Sequence, residues 1–401
     1  MCIRDRFAAQ VNSGKSKINA VLANDIKFMD DTSKTSSVNW VPIGRDSTMM
    51  FDGDFDGAGK TIYGLHCDRI FAGIFGVTDK YAVIKNVKLA KSSINGRDSR
   101  VVVGHYVGFT GGIVAINKGA LYGCANSGAV TLNSSSDLFS IGGIVGENRG
   151  SVDNCTNSGA VTLLRNSVGD DVSIGGIVGR NVGNSAVVKS CVNEGTVTSA
   201  GNNVGGIVGS GASTTIEDCT NRGTISGSYD VGGIAGFVRW GNIKSCVNEG
   251  SVTNTGKDGM SYGVGGIVGS GASTTIEDCT NRGSITGSVA VGGIAGYYYT
   301  GDVKSCMNEG SVIGTDTLSL YGVVGGIVGY NSSGEIVDCL NSGFVSSTSG
   351  KLYSGGIAGS NGGTISVCTN YGLVEGEKSA GIVGYNSDGG NFVGNAKVTD
   401  C

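Results

Sequence analysis

The chain has 401 residues with a net charge of −4, its 29 Lys and Arg and 33 Asp and Glu scattered rather than gathered into blocks. No basic stripe is present, which excludes nucleic acid as a partner, and no apolar run is long enough to span a bilayer. The 73 glycines follow no three-residue period, which excludes collagen, and Ile and Val recur at fixed places with only 15% charged residues, which excludes disorder.

Taken in chain order, residues 1–6, Met1-Cys2-Ile3-Arg4-Asp5-Arg6, read as translated adapter sequence and are set aside from the fold. Phe7 to Gly14 is the one stretch with a helical period. Residues 7–70 read as an N-terminal cap with lead-in strands. Within them, Asp52-x-Asp54-x-Asp56-Gly57 copies the opening of a calcium-binding loop. The twelfth position is Tyr63 where a bidentate Glu is required, so a glycine-rich turn is expected rather than a metal site. Val101 to Ile116 is uncharged but interrupted by glycines and His105, and reads as strand and turn.

From residue 71 to 401 the chain repeats itself. The phrase Gly-Gly-Ile-Val-Gly or a close variant begins at Ala72, Gly111, Gly142, Gly175, Gly205, Gly232, Gly265, Gly292, Gly325, Gly355 and Ala380, at spacings of 25 to 39 residues. That range signals a solenoid. A second phrase, Cys-x-Asn-x-Gly, is centred on Cys124, Cys155, Cys191, Cys219, Cys246, Cys279, Cys306, Cys339 and Cys368. In the unit starting at Gly205, Cys219, Asn221, Gly223 and Ile225 alternate with Thr220, Arg222 and Thr224, the period of a strand with one buried face. Ile216 and Cys219 are an odd number apart, so a corner must fall between them if both point inward. Three short strands per coil are expected. One coil cannot bury its own apolar face, so neighbouring coils must stack in register. Parallel crossovers are overwhelmingly right-handed. The expectation is all-β: a right-handed parallel β-helix of 10 or 11 coils, each of about 30 residues. At the far end Val398-Thr399-Asp400-Cys401 matches Ile216-Glu217-Asp218-Cys219 and stops mid-repeat, so the natural chain is expected to continue.

These two phrases resemble the GLUG-motif repeats of bacterial surface and adhesin-like proteins, and of stalk regions of some secreted peptidases. The resemblance covers about residues 71–401, and the segment before it resembles the opening module of such proteins. It implies an exported, extracellular β-helix on a bacterial cell surface, without implying one activity.

The column cysteines read as small buried hydrophobes, because parallel stacking does not favour the disulfide dihedral. The asparagines two residues on (Asn126, Asn157, Asn193, Asn221, Asn248, Asn281, Asn308, Asn341 and Asn370) read as a structural ladder of stacked amides. No cofactor or metal is expected. Catalysis has little support: His66 and His105 are far apart, and the recurring Glu217-Asp218 and Glu277-Asp278 read as a solvated face. The residue after Gly-Gly-Ile-Val-Gly points outward, and it is Phe237, Tyr297, Tyr330 and Tyr385 in four coils, with Trp240 close to the first. This aromatic strip is the candidate ligand-binding surface, for glycans or for host or cell-surface proteins. The long loops Leu132–Phe139 and Leu163–Asp171 are its alternative. The leading reading is a non-catalytic adhesin-like or spacer module with a tendency to associate end to end. The alternatives are a carbohydrate-active β-helix enzyme, a lyase or hydrolase, and the stalk of a larger secreted peptidase.

Overall fold

The computed structural model describes residues 3–29, 35–97, 107–132, 138–164, 171–256, 263–315, 322–348, 350–386 and 397–401. It is all-β, with parallel sheets stacked as a β-solenoid of about 11 turns and coils near 31 residues. The chain divides into two compact units, the first formed by residues 1–201 with 207–209 and the second by 202–206 with 210–401.

Each coil contains five short strands rather than three. In the second unit one coil runs Asp230–Gly232, Ala235–Arg239, Asn242–Lys244, Val247–Asn248 and Val252–Asn254. The extra breaks have two causes. The Gly-Gly-Ile segment bends the chain between the first two strands, and a left-handed residue turns it just before each column cysteine. That residue is Gly123, Asn154 or Ser190 in the first unit and Asp218, Ser245, Asp278, Ser305, Asp338, Val367 or Asp400 in the second, with φ between 49° and 61°. Asn and Asp tolerate this region because their short polar side chains bond locally, whereas a β-branched residue is strained there. Val367 is therefore the misfit of the series.

Strands pair in parallel with no slippage, so like sits on like. In the first unit Phe55, Ile84, Leu121, Val152 and Val188 form one inward column. In the second, Ile216, Ile243, Ile276, Val303, Ile336 and Ile365 form another. All of these side chains are buried, each contributing roughly 1.5–3 kcal/mol relative to exposure. The lead-in strands join the same registers, since Ile26 pairs with Ile62 and Ile62 with Leu89. Helix α1 (Ile3–Val11) lies against this end, with the Phe7 ring 6.2 Å from Phe51 and 5.8 Å from Phe55. An apolar cavity of about 550 Å³, lined by Phe7, Leu22, Phe28 and Trp40 among others, remains beside it.

The two sequence phrases are one structural device. Each ladder asparagine donates its amide to the next coil's asparagine oxygen, at 3.0 Å from Asn126 to Asn157 and from Asn157 to Asn193 in the first unit. In the second unit the series from Asn221 through Asn248, Asn281, Asn308 and Asn341 to Asn370 runs at 2.8 Å a step. The same amide donates to the carbonyl of the glycine two residues on, as Asn281 does to Gly283 at 2.9 Å. The side chain packs on the second glycine of Gly-Gly: a Cβ at Gly266 would overlap the Asn281 amide and the Gly293 carbonyl.

A second ladder, unforeseen from the sequence, stands seven residues into the Gly-Gly phrase. Asn117, Asn148 and Asn181 form it in the first unit at 2.8 and 2.7 Å, and Asn331, Asn361 and Asn386 in the second at 2.8 and 3.1 Å. The column cysteines from Cys124 to Cys368 are buried and free. Their Sγ atoms lie 3.1–3.6 Å from the carbonyl two residues earlier, as in Cys191 to Lys189 and Cys124 to Tyr122. Burial pushes the Cys246 thiol well up, as it does Cys67 on another sheet, to about 12. The Cys246 and Cys67 thiols are therefore neutral.

Candidate binding surface

The outward residue of the second strand forms a column whose register in the second unit is Phe237, Ser270, Tyr297, Tyr330, Ser360, Tyr385. Tyr297 and Tyr330 stack with ring centroids 4.7 Å apart and planes 24° from parallel. Tyr299, which the sequence reading did not single out, adds a third ring 4.4 Å from Tyr297. Burial, then the neighbouring Tyr330 and Tyr299, push the Tyr297 phenol up, so it stays neutral. Tyr297 and Tyr330 are half-buried, while Trp240 is 60% exposed.

The strip is not continuous. Ser270 and Ser360 are both buried and interrupt it, separating Phe237 and Tyr385 from the tyrosine stack by one coil each. Tyr385 instead meets Tyr353, at 5.3 Å, from the first strand of its neighbouring coil, and the Lys378 ammonium lies 4.6 Å from the Tyr353 ring centre. The first and second strands therefore face each other across an outward crease. Its floor is the last glycine of each Gly-Gly phrase, where a Cβ at Gly269 would overlap the Val231 backbone. Deep in the crease Asp230 is buried, accepting hydrogen bonds from Ser270 Oγ and from the Gly263 N–H at 3.2 Å. Burial outweighs both bonds and raises its carboxyl to about 7.

Tyr298, between Tyr297 and Tyr299, does not join the outward rings. Strand alternation turns it inward, where it is fully buried and its hydroxyl donates to the Thr274 carbonyl. Gly271 and Gly334 leave the room its ring needs. The period-two signal for this was present in the sequence.

Trp240 occupies a left-handed corner with φ 53°, and the Arg239 guanidinium sits 4.8 Å from its ring centre. The remaining sequence candidates do not converge. Asp52 pairs with Lys17 at 3.5 Å and Asp56 with Lys85 at 3.4 Å, while Asp56 also accepts from the Ala58 N–H at 2.8 Å. Glu277 and Asp278 share Lys244 at 3.3 and 3.5 Å on an exposed face. Among the described residues no group of three His, Cys, Asp or Glu is placed to hold a metal. His105 and most of the two long loops, at 133–137 and 165–170, lie outside the described residues. No helix among the described residues is long and apolar enough to cross a membrane.

Fold and surface together define a parallel β-solenoid with an aromatic outer wall. The GLUG motif model matches residues 137–162, the coil that carries Cys155 and Asn157. No curated protein matches the chain. A solved structure from Bacteroides ovatus, described as a candidate immunoglobulin A1 protease, aligns with 98% of this chain and 82% of its own at 17% identity and a TM-score of 0.22.

Proposed function

We propose that the chain is a non-catalytic, extracellular bacterial β-solenoid that acts as an adhesin-like spacer and binding module. Its ligands are glycans or surface proteins held on the aromatic wall of the second unit. The supporting observation is the Tyr297–Tyr330–Tyr299 cluster: three rings packed together on the outside of the solenoid. Aromatic side chains give large contact areas and lose little rotamer freedom on binding. Glu277 and Asp278, two of the carboxylates weighed for catalysis, are instead paired with Lys244 on a solvated face.

Glycan and cell-surface protein arrays probed with the chain supply the ligand. Replacing Phe237, Trp240, Tyr297 and Tyr330 by Ser is expected to weaken its binding at least about tenfold, the loss of one or two anchoring rings, while the inward columns keep the fold intact. Undiminished binding by the quadruple variant moves the surface elsewhere. Turnover of a polysaccharide or peptide by the purified chain overturns the non-catalytic reading.

A further inference from the structure

The aromatic wall contains a notch with its own chemistry. Arg239 and Ala272 are in register, and Gly271 pairs with Tyr298, so Ala272 is followed on the next coil by Tyr299. Arg239 and Tyr299 thus stand two rungs apart, about 9.6 Å at the usual strand spacing of about 4.8 Å. The rung between them carries only Ala272, half-buried, and Ser273, exposed. A ring sandwiched at van der Waals contact on both faces needs walls about 7–8 Å apart. The gap therefore takes one ring and no more.

The walls suit a sugar. Trp240 and Tyr299 offer flat faces, 60% and 37% exposed, for the apolar C–H side of a pyranose. Hydroxyls edge the floor, with Ser273 Oγ 3.1 Å from Thr300 Oγ1. A few placed polar groups among aromatic walls is the usual make-up of a small-ligand site. Charge narrows the class further. Arg239 has no carboxylate partner among the described residues, although Arg222 and Arg282 on another face are both paired with Glu249. Its guanidinium is instead held against the Trp240 ring at 4.8 Å, an arrangement that fixes the group by cation–π attraction and leaves its N–H fork open. Such a fork matches a carboxylate in two parallel hydrogen bonds.

We propose that the Arg239–Ala272–Tyr299 notch binds a pyranose ring bearing a carboxylate, so that the ligand of this wall is an acidic glycan. The proposal rests on the reading of the aromatic wall as the binding surface and assigns its ligand class. A tetramer of galacturonic acid and its methyl ester, which keeps the ring and removes the charge, are the probes, titrated into the intact chain by calorimetry. The acid form is expected to bind about tenfold more tightly than the ester, a preference that shrinks as salt screens the pair. Arg239→Gln should bind acid and ester alike, at the parent's affinity for the ester. Ala272→Leu, which fills the notch, should weaken both at least about tenfold with an unchanged thermal midpoint. Equal binding of acid and ester by the parent, or a preference that survives Arg239→Gln, overturns the acidic-ligand assignment and leaves the wall as a general glycan surface. Binding of neither probe overturns the assignment as well, and the quadruple serine variant then decides the broader reading with the ligands found on arrays.

Discussion

Two residue-scale features set how tightly each coil can turn: a left-handed corner before each cysteine and small groups in the crease. The corner was half-legible. Asn, Asp, Ser and Gly dominate the position, and the odd spacing from Ile216 to Cys219 demands a turn, yet Val367 takes the same φ of 54° without the chemistry that favours it. Asp230 was not legible at all, because its burial follows from the second strand folding back over it. Its consequence is a pH dependence. The carboxyl titrates near 7 in the folded chain against 3.8 when unperturbed, so between those values the folded state holds a proton that the unfolded state has released. Stability contributed by this group is therefore complete below about pH 4 and declines as pH rises to about 7. Urea midpoints should be higher at pH 5 than at pH 8 for the parent chain. In Asp230→Asn, which keeps an acceptor for Ser270 and removes the charge, that difference should largely vanish. An identical pH profile for both proteins would show that Asp230 is ionised in the fold without penalty.

At the scale of the strand and ladder, Gly-Gly and Cys-x-Asn-x-Gly recur together because each second glycine is the seat of a ladder asparagine. The sequence made the first ladder plain, since its asparagine is present in nine coils. It concealed the second, whose positions in the second unit pass through Val238, Gly271 and Tyr298 before asparagine resumes at Asn331. In that stretch large and small alternate, Tyr298 lying over Gly271, so the corner is filled by apolar volume where it is elsewhere filled by amides. Five strands rather than three were missed for a related reason: the bends are made by backbone packing at glycines, which leave no side-chain pattern to count. Gly266→Ala tests the seat. The added methyl has backbone carbonyl on one side and the Asn281 amide on the other, neither of which moves without breaking ladder bonds. A loss of about 2–4 kcal/mol is expected, from overpacking of about 1–3 kcal/mol together with partly unsatisfied amides. Gly381→Ala makes the same change where no atom lies within 4 Å and should be nearly silent. If the two variants unfold at the same denaturant concentration, the seat is not what the glycine supplies.

At the scale of the whole molecule, what each unit leaves uncovered sets how copies meet. In the first unit α1 covers the opening strands through Phe7. In the second unit the strands Thr369–Asn370, Val374–Glu375, Lys378–Ala380 and Val383–Asn386 pair on one side only among the described residues. Residues buried in the preceding coil are uncovered there: Ile357 and Ala358 are fully buried, whereas their counterparts Ile382 and Val383 are half-buried, and Tyr371 and Leu373 are 79% and 63% exposed. Open strand edges recruit other chains. The same coil on a second copy of the chain offers a matching edge. Such an isologous contact closes at two copies instead of growing into a fibre. Sedimentation velocity of the 401-residue chain should show a concentration-dependent monomer–dimer equilibrium without larger species. Val374→Lys with Val383→Lys places charges on the inward side of the open coil, a device that natural edges use against pairing, and should return the chain to monomer. A parent that stays monomeric into the high micromolar range would show that the exposed coil is protected by its own residues. Growth of long assemblies would show that copies meet through more than this one face.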